Sequence, residues 1–177
     1  MYADSRRSGA LTLLLALVVT ACAGGVVAAG DTPPGPGGTG VAEVEDPAVA
    51  NLDPALAEAL RLASQAAAAD GVTIQVTSGW RSPEHQERLF REAVATYGSE
   101  EEASRWVARG DSSAHVSGDA VDLGPAAAVD WLARNGARYG LCQVYGNEPW
   151  HFELRPEAPR EGCPAPYADP RHDPRLQ

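Results

Sequence analysis

Apolar positions return along this chain with two different spacings, and the spacings predict its secondary structure. From position 53 to 70, leucines and alanines recur every three or four residues behind an Asp-Pro pair, which predicts a helix. Positions 72–76 alternate apolar and polar side chains, the pattern of a half-buried strand. Ser82 as N-cap, followed by Pro83, predicts a second long helix that reaches about Tyr97.

The second half of the pattern contains shorter elements. A Ser-x-x-Glu capping box at 99–102 predicts a further short helix that ends at Gly110. Strands are predicted at 120–123, 139–145 and 150–155, and one more helix at 125–135. Helices and strands do not alternate regularly. The sequence therefore predicts an α+β fold, a small antiparallel sheet with helices packed on it, rather than a βαβ fold.

The first 22 residues have the composition of a targeting segment. Arg6 and Arg7 precede a short apolar run at 11–19, which is too short to remain in a bilayer as a spanning helix. The segment closes on Val-Thr-Ala-Cys, which resembles the bacterial lipobox, in which Cys22 carries the lipid. The alternative is an ordinary signal peptide that is cleaved at a small residue nearby. Both predict export, and the lipobox predicts a lipid anchor on the outer face of the bacterial cell membrane.

The remaining chain divides by composition into three parts. Residues 23–50 are dominated by Gly, Ala, Pro and Val and predict a flexible tether. The folded domain is predicted over 51–165, which is long enough to bury one core. Residues 166–177 are rich in proline and charge and are predicted to form an irregular tail. We expect the domain to act as a monomer.

The net charge limits which partners this chain can bind, and the cysteine content indicates a disulfide. The formal net charge is −10 at pH 7, and this excludes nucleic acid, whose phosphates require a basic surface. Beyond Cys22, the chain holds Cys142 and Cys163. A pair of cysteines in an exported domain favours a disulfide, which would attach the tail to the domain. The alternative is one buried thiol and one idle thiol.

Two segments gather the residue types that bind a metal ion and use it. His115 is followed seven residues later by Asp122, and Glu148 stands three residues before His151. Two imidazoles and a carboxylate can fill three positions around a tetrahedral zinc, and a catalytic site keeps the fourth position for water. Glu148 is then the candidate base that acts on this water. A lone histidine is usually structural, so the prediction depends on these residues occurring together.

Three motifs resemble those of a known family. They are Ser-x-His-x-x-Gly-x-Ala-x-Asp at 113–122, Glu-x-Trp-His at 148–151 and Ser-Gly-Trp-Arg-Ser at 78–82. Together they resemble the VanY-type zinc D-alanyl-D-alanine carboxypeptidases, and the resemblance covers about 52–155. That family lies in a superfamily with VanX-type dipeptidases, phage endopeptidases and the hedgehog signalling domain. The resemblance implies their small α+β zinc fold.

The resemblance also implies roles for individual residues. The implied zinc ligands are His115, Asp122 and His151, and the implied catalytic base is Glu148. Arg81 is the residue that such enzymes direct at the substrate.

Candidate substrate contacts can also be argued from side-chain chemistry. The guanidinium of Arg81 suits a free C-terminal carboxylate, because the two groups match in a bidentate fork, although a surface salt bridge is the alternative. Ser113 either donates a hydrogen bond to the substrate or shapes its loop, and Gln86 is a further candidate contact. Asp119 and Glu153 are interpreted as residues around the ligands or in solvent, not as ligands.

The sequence therefore predicts a zinc metallopeptidase that removes the C-terminal D-alanine from peptidoglycan stem peptides. An endopeptidase that cuts between residues of the stem peptide is the main rival among enzymes. A non-catalytic zinc module that binds the cell wall is the alternative outside the enzyme class. The occurrence of Glu148 and Arg81 beside all three ligand candidates favours the enzyme. The preferred leaving group, D-alanine, D-lactate or a longer one, stays open.

Overall fold

A computed structural model of the chain describes residues 39–40 and 46–176. The predicted leader at 1–22, with the lipidation candidate Cys22, and most of the predicted tether lie outside the described residues. Within the described residues, none of the helices combines the length and the apolar character that crossing a bilayer requires. The described part contains the whole predicted domain and all but the last residue of the predicted tail.

The described residues form seven α-helices, of which two are long. They are α1 Pro47–Ala50, α2 Pro54–Ala69, α3 Pro83–Tyr97, α4 Glu100–Ala103, α5 Ala114–Ser117, α6 Ala126–Asn135 and α7 Ala158–Glu161. The long helices begin at the capping residues that the sequence predicts. The Asp53 carboxylate accepts hydrogen bonds from the amides of Ala55 and Leu56, and the Ser82 hydroxyl accepts one from the amide of His85.

Five short strands form one antiparallel sheet. They are β1 Thr39–Gly40, β2 Gln75–Ser78, β3 Ala120–Gly124, β4 Leu141–Gln143 and β5 His151–Leu154. Their order in the sheet is β1-β2-β3-β5-β4, so β3 is central and pairs with β2 on one side and β5 on the other. The predicted α+β fold with a small antiparallel sheet is therefore confirmed.

The strand register brings polar positions of three strands side by side. Asp122 in β3 lies opposite Ser78 in β2 and opposite His151 in β5. Side chains of directly opposite residues leave a sheet on the same face. Asp122 and His151 therefore project together, although 29 residues separate them in the sequence.

The hydrophobic core lies on the other face of the sheet, under α2 and α6. Val121 and Leu123 flank Asp122 in β3 and are buried in this core with Phe152 of β5. This alternation has a period of two, so one strand serves the core with one face and the polar site with the other. The indole Nε1 of Trp131 in α6 donates a 2.8 Å hydrogen bond to the carboxylate of Asp70 and ties α6 to the end of α2.

Three predicted elements have bounds that differ by two or more residues in the structure. The strand expected at 139–145 covers only Leu141–Gln143, since Gly136–Tyr139 forms a 3₁₀ turn before it. The strand expected at 72–76 begins at Gln75, because its partner β3 ends at Gly124, directly opposite. The helix expected to reach Gly110 ends at Ala103. Its Ser99 cap is present, but α4 buries only Ala103, and a single turn without further packing does not propagate.

The disulfide that the sequence favoured is present between Cys142 and Cys163. The two Cα atoms lie 5.5 Å apart, and 21 positions separate the cysteines in the sequence. Cys142 is buried in β4, whereas Cys163 lies in an exposed stretch. The bridge therefore attaches the chain that follows α7 to the edge of the sheet.

The C-terminal segment is more ordered than the irregular tail expected at 166–177. It contains the 3₁₀ turns Pro170–His172 and Pro174–Leu176. The side chains of Asp169 and Asp173 are buried, with Asp173 at 0% exposure. The sequence missed this order because the segment has no apolar periodicity, and its order comes from ion pairs with distant residues.

Candidate metal centre

Three side chains from separate elements meet at one end of a cleft. They are His115 in α5, Asp122 in β3 and His151 in β5, and all three are buried. Nε2 of His115 lies 3.2 Å from Nδ1 of His151, and Oδ1 of Asp122 lies 3.3 Å from each nitrogen. Tetrahedral zinc with ligand bonds of about 2.0–2.2 Å requires ligand atoms about 3.3–3.6 Å apart. The triangle therefore fits one tetrahedral metal ion.

Each histidine is oriented by a hydrogen bond on its other ring nitrogen. Nδ1 of His115 lies 2.8 Å from the carbonyl oxygen of Gly79, which can only accept. Nε2 of His151 lies 3.3 Å from Oε1 of Glu153. When these nitrogens donate, Nε2 of His115 and Nδ1 of His151 keep their lone pairs for a metal. His115 itself lies in the short helix α5.

The charges around the triangle leave a place for a cation. Burial opposes the charge of Asp122, but hydrogen bonds from His115 and His151 hold the pKa of its carboxyl well below the usual range. Burial lowers the pKa of His115. Burial also opposes the charge of His151, but its hydrogen bonds to Asp122 and Glu153 raise the pKa of this imidazole to about 9. A bound metal would take the place of the proton on Nδ1 of His151, the nitrogen that faces Asp122.

Glu148 lies in the same cleft, in the turn that precedes β5. Its amide donates to the carbonyl of Tyr145, and its own carbonyl accepts from the amide of His151, so the turn holds it beside the ligands. Oε1 of Glu148 is buried and has no hydrogen-bond partner among the described residues. Burial raises the pKa of this carboxyl to about 7. A buried carboxylate oxygen without a partner is suited to take up a proton.

Arg81 reaches the site from the turn between β2 and α3. Its amide donates to the carbonyl of His115, and its NH2 donates a 2.8 Å hydrogen bond to Oδ2 of Asp122. This contact occupies the oxygen of Asp122 that faces away from the histidines and leaves Oδ1 for a metal. Nε donates to Ser78 and NH1 to Gln86, so three of the five N–H donors have partners among the described residues and two do not. Arg81 is therefore not in a surface salt bridge.

The other two predicted substrate contacts differ in position. Gln86 is 1% exposed, its Oε1 accepts from Arg81, and its Nε2 donates to the carbonyl of Ala108. Its side-chain amide therefore holds Arg81, and because Gln86 also lines the cleft, its contact with a substrate stays a prediction. Ser113 is the N-cap residue of α5 but makes no capping hydrogen bond with its side chain, and it lines the cleft. Asp119 accepts from Ser117 outside the cleft.

The cleft has a volume of about 440 Å³, in the range of sites that hold small ligands. Its outer rim is aromatic: Tyr97 and Trp106 are stacked with ring centroids 5.9 Å apart, and Trp150 is exposed. Pro170 and Leu176 of the C-terminal segment also line it. One cavity therefore has the polar ligand candidates at one end and aromatic side chains at the other.

Glu153 lies around the ligands, which was one of the two positions expected for it, whereas Arg175 behind it was not predicted. Glu153 is buried at 2% exposure and accepts hydrogen bonds from Arg155 and Arg175. Its spacing of two from His151 on one strand was the available signal, since it places both side chains on one face. Arg175 carried no such signal, because 22 residues separate it from Glu153.

The fold and the site define a class of protein. Two histidines and an aspartate in tetrahedral spacing, beside a buried carboxylate oxygen without a partner among the described residues, form the arrangement of a mononuclear metallohydrolase. Residues 49–157 match the family model described as VanY, D-alanyl-D-alanine carboxypeptidase. The chain belongs to this VanY family, and the resemblance drawn from the three motifs is confirmed.

One curated relative is the D-alanyl-D-alanine carboxypeptidase of Enterococcus faecalis (strain ATCC 700802 / V583). It is 34% identical over an alignment of 112 residues, which covers 49% of this chain and 42% of the relative. The chain thus spans less than half the length of this relative.

Solved structures of related enzymes share the fold. A mutant of the vancomycin-resistance D,D-pentapeptidase VanY, in complex with Zn(II), has a TM-score of 0.54 and 30% identity, covering 58% of this chain and 72% of that chain. VanYB in complex with D-alanine-D-alanine has the same TM-score and identity, with coverages of 58% and 71%. The L,D-carboxypeptidase DacB from Streptococcus pneumoniae has a TM-score of 0.52 and 26% identity, with coverages of 66% and 73%.

Proposed function

We propose that this chain is a zinc-dependent carboxypeptidase that removes the C-terminal D-alanine from peptidoglycan stem peptides. The observation that carries the proposal is the triangle of His115, Asp122 and His151 with the unpartnered Glu148 in the same cleft. Membership of the VanY family supports the substrate class, and a relative has been solved with D-alanine-D-alanine.

Zinc bound by the two histidines and the aspartate would supply a Lewis acid and lower the pKa of a water molecule toward about 7. The protein's own part in the reaction falls to Glu148. Its Oε1 accepts a proton from the attacking water, because this oxygen is buried and has no competing partner. The same oxygen can then return the proton to the leaving amine of D-alanine.

Arg81 is the proposed anchor for the free carboxylate of the substrate. It is the cation in the cleft nearest the ligands, through its contact with Asp122, and two of its N–H donors remain for a second carboxylate. The commitment of the other three donors to the protein favours a second candidate function, an endopeptidase that does not read a free C-terminus.

The proposed location and partners rest on the sequence. We propose that the domain is exported and anchored by lipid at Cys22, with peptidoglycan stem peptides as its partner and no nucleic acid. The net charge of −10 supports the exclusion of nucleic acid. A monomer is proposed, since catalysis as described requires residues of one chain.

The test compares Arg81→Ala with wild type on two stem pentapeptides, one with a free C-terminus and one amidated. Loss of an anchoring contact to a charged group should lower kcat/KM for the free peptide by about ten- to a hundredfold. Wild type should cleave the amidated peptide poorly, and Arg81→Ala should lower kcat/KM for this peptide little further. The effects of the mutation and of amidation should therefore not add. Products are identified by mass spectrometry. Zinc content is measured in parallel, because Arg81 also contacts Asp122.

The matched control is Arg91→Ala, which removes an exposed arginine from α3. It should behave as wild type on both peptides. Equal cleavage of free and amidated peptides by wild type, with Arg81→Ala lowering both alike, would favour the endopeptidase. Absence of hydrolysis by a zinc-loaded wild type would favour a non-catalytic zinc module.

A further inference from the structure

The carboxylate of Glu153 connects the metal centre to the C-terminal segment. It is 2% exposed, and each of its oxygens has two partners. Oε1 accepts from Nε2 of His151 at 3.3 Å and from NH2 of Arg175 at 3.2 Å. Oε2 accepts from NH1 of Arg175 at 2.6 Å and from Arg155 at 2.8 Å. Arg175 is thus the arginine that contacts the oxygen facing the histidine ligand.

Arg175 is itself held in place by a second buried carboxylate. Its Nε donates to both oxygens of Asp173 at 2.9 and 3.0 Å, and its NH2 also contacts that carboxylate. The phenol of Tyr145 donates to Oδ2 of Asp173 at 3.0 Å, and the Tyr145 ring centroid lies 5.0 Å from that of His151. The guanidinium therefore bridges two buried acids, although part of the Arg175 side chain reaches solvent.

The segment that carries Arg175 is tied to the domain at three further points. The Cys142–Cys163 disulfide holds its beginning. The amide of Tyr167 donates to the carbonyl of Val144, and its own carbonyl accepts from the amide of Gly146, both at 2.8 Å. Asp169 lies 3.4 Å from the guanidinium of Arg105. These ties leave the segment little freedom to move away from the metal centre.

We infer that the C-terminal segment 163–176 completes the metal centre, with Arg175 as a positioning residue that acts through Glu153 on His151. Arg175 fixes the orientation of the Glu153 carboxylate through contacts with both of its oxygens. Glu153 then accepts the hydrogen on Nε2 of His151, so that Nδ1 points at His115 and Asp122. The inference rests on the proposed function for the presence of zinc but not for the reaction.

The first measurement is the zinc affinity of Arg175→Ala, by competition with a chromophoric chelator. Loss of a contact that orients a ligand typically weakens metal binding by about 10- to 100-fold, and we expect a loss in this range. The visible absorption spectrum of the Co(II)-substituted variant should also change, because it reports the geometry of the ligand set. Arg175→Lys should restore the affinity only in part, since an ammonium lacks the planar fork that spans both oxygens.

Two matched variants separate this role from general charge effects. Arg155→Ala removes a cation from the same carboxylate but from Oε2, so it should weaken zinc binding less than Arg175→Ala. Arg61→Ala breaks an exposed ion pair with Glu58 on α2 and should leave zinc affinity unchanged. Thermal unfolding of the metal-free variants shows how much each change affects the fold alone.

The inference is overturned if folded Arg175→Ala or Arg175→Lys binds zinc as wild type does and gives an unchanged Co(II) spectrum. It is also overturned if Arg155→Ala weakens binding as much as Arg175→Ala, since charge on Glu153 would then be the only requirement. A purely structural role would lower the unfolding temperature without changing the affinity of the folded protein. If wild type binds zinc but releases no D-alanine, the proposed function fails while this comparison still stands.

Discussion

At the scale of single residues, each ligand of the proposed metal owes its orientation to a neighbour that does not touch the metal. Gly79 shows that such a neighbour can tolerate no side chain of its own. Its carbonyl orients His115, and a Cβ at this position would lie 2.1 Å from the carbonyl oxygen of Ala48. A side chain there would force the backbone to shift. The Ser-Gly-Trp-Arg motif therefore combines a histidine-orienting carbonyl with Arg81.

We predict that Glu148→Gln keeps zinc and loses catalysis. The amide has nearly the shape of the carboxylate but cannot accept the proton of water, and loss of a general base typically lowers kcat by about 10²-fold or more. Zinc content by metal analysis should be unchanged, because Glu148 is outside the ligand triangle. Glu92→Gln, an exposed change on α3, is the control with wild-type kcat. A Glu148→Gln enzyme with wild-type kcat would assign the base to another group.

At the scale of elements, Gly118 joins the two halves of the first metal motif. It ends α5 with φ +82°, and a Cβ there would lie 2.5 Å from the carbonyl oxygen of Asn51. Two separate restrictions therefore apply, a left-handed backbone and a close approach of another chain segment. They keep His115 and Asp122 in their relative positions.

Gly71 allows these two restrictions to be separated. It has φ +75°, and a Cβ there would meet nothing within 4 Å. Gly71→Ala should lower the free energy of unfolding by about 1–2 kcal/mol, the cost of a left-handed alanine. Gly118→Ala should lower it by about 1–3 kcal/mol more, the cost of overpacking. Urea unfolding of both variants measures the difference, and equal losses would show that the Asn51 contact relaxes freely.

The disulfide is expected to stabilise both the fold and the metal centre. It closes a loop over 21 positions, and loops of this size contribute about 3 kcal/mol in the chain-entropy model. Replacing Cys142 and Cys163 together with alanine should lower the free energy of unfolding by about this amount. Zinc affinity should also fall, because the bridge anchors the segment that carries Arg175. Unchanged stability and affinity in chemical unfolding and chelator competition would contradict both expectations.

The sequence predicted those features that neighbouring residues determine. Helices α2 and α3 begin at Asp53 and Ser82 because a cap and a following proline act within one turn. The ligand candidates could also be predicted, because each motif is continuous in the chain. The commitment of Gln86 to Arg81 was not predictable, since it depends on how α3 packs against the turn before it. The contact of Arg175 with Glu153 spans 22 positions and leaves no local pattern.

At the scale of the whole molecule, an acidic protein keeps several carboxylates buried without losing their charge. Asp173 is the clearest case outside the ligand triangle. Burial alone would raise the pKa of its carboxyl, but hydrogen bonds from Arg175 and Tyr145 hold it below the usual value. The charged form is therefore more stable in the folded protein than in the unfolded chain.

This shift predicts how stability depends on pH. A carboxyl with a lowered folded pKa contributes stability above its unfolded pKa of about 3.9, and the contribution is lost as pH falls through the folded pKa. The free energy of unfolding of the wild type should thus exceed that of Asp173→Asn by a constant amount above about pH 5. The difference should shrink below about pH 4. Urea unfolding at a series of pH values measures it, and a difference that does not change with pH would contradict the assignment.

The pairing of Asp122 directly opposite His151 also limits how this family can change length during evolution. One residue gained or lost within β3 or β5 turns every later side chain of that strand to the other face. In β5 it would exchange His151 for Phe152, a core residue, at the metal centre. The exposed positions 98–99 between α3 and α4 carry no such restriction. Insertions and deletions among relatives should therefore collect there, while the two central strands keep a constant length.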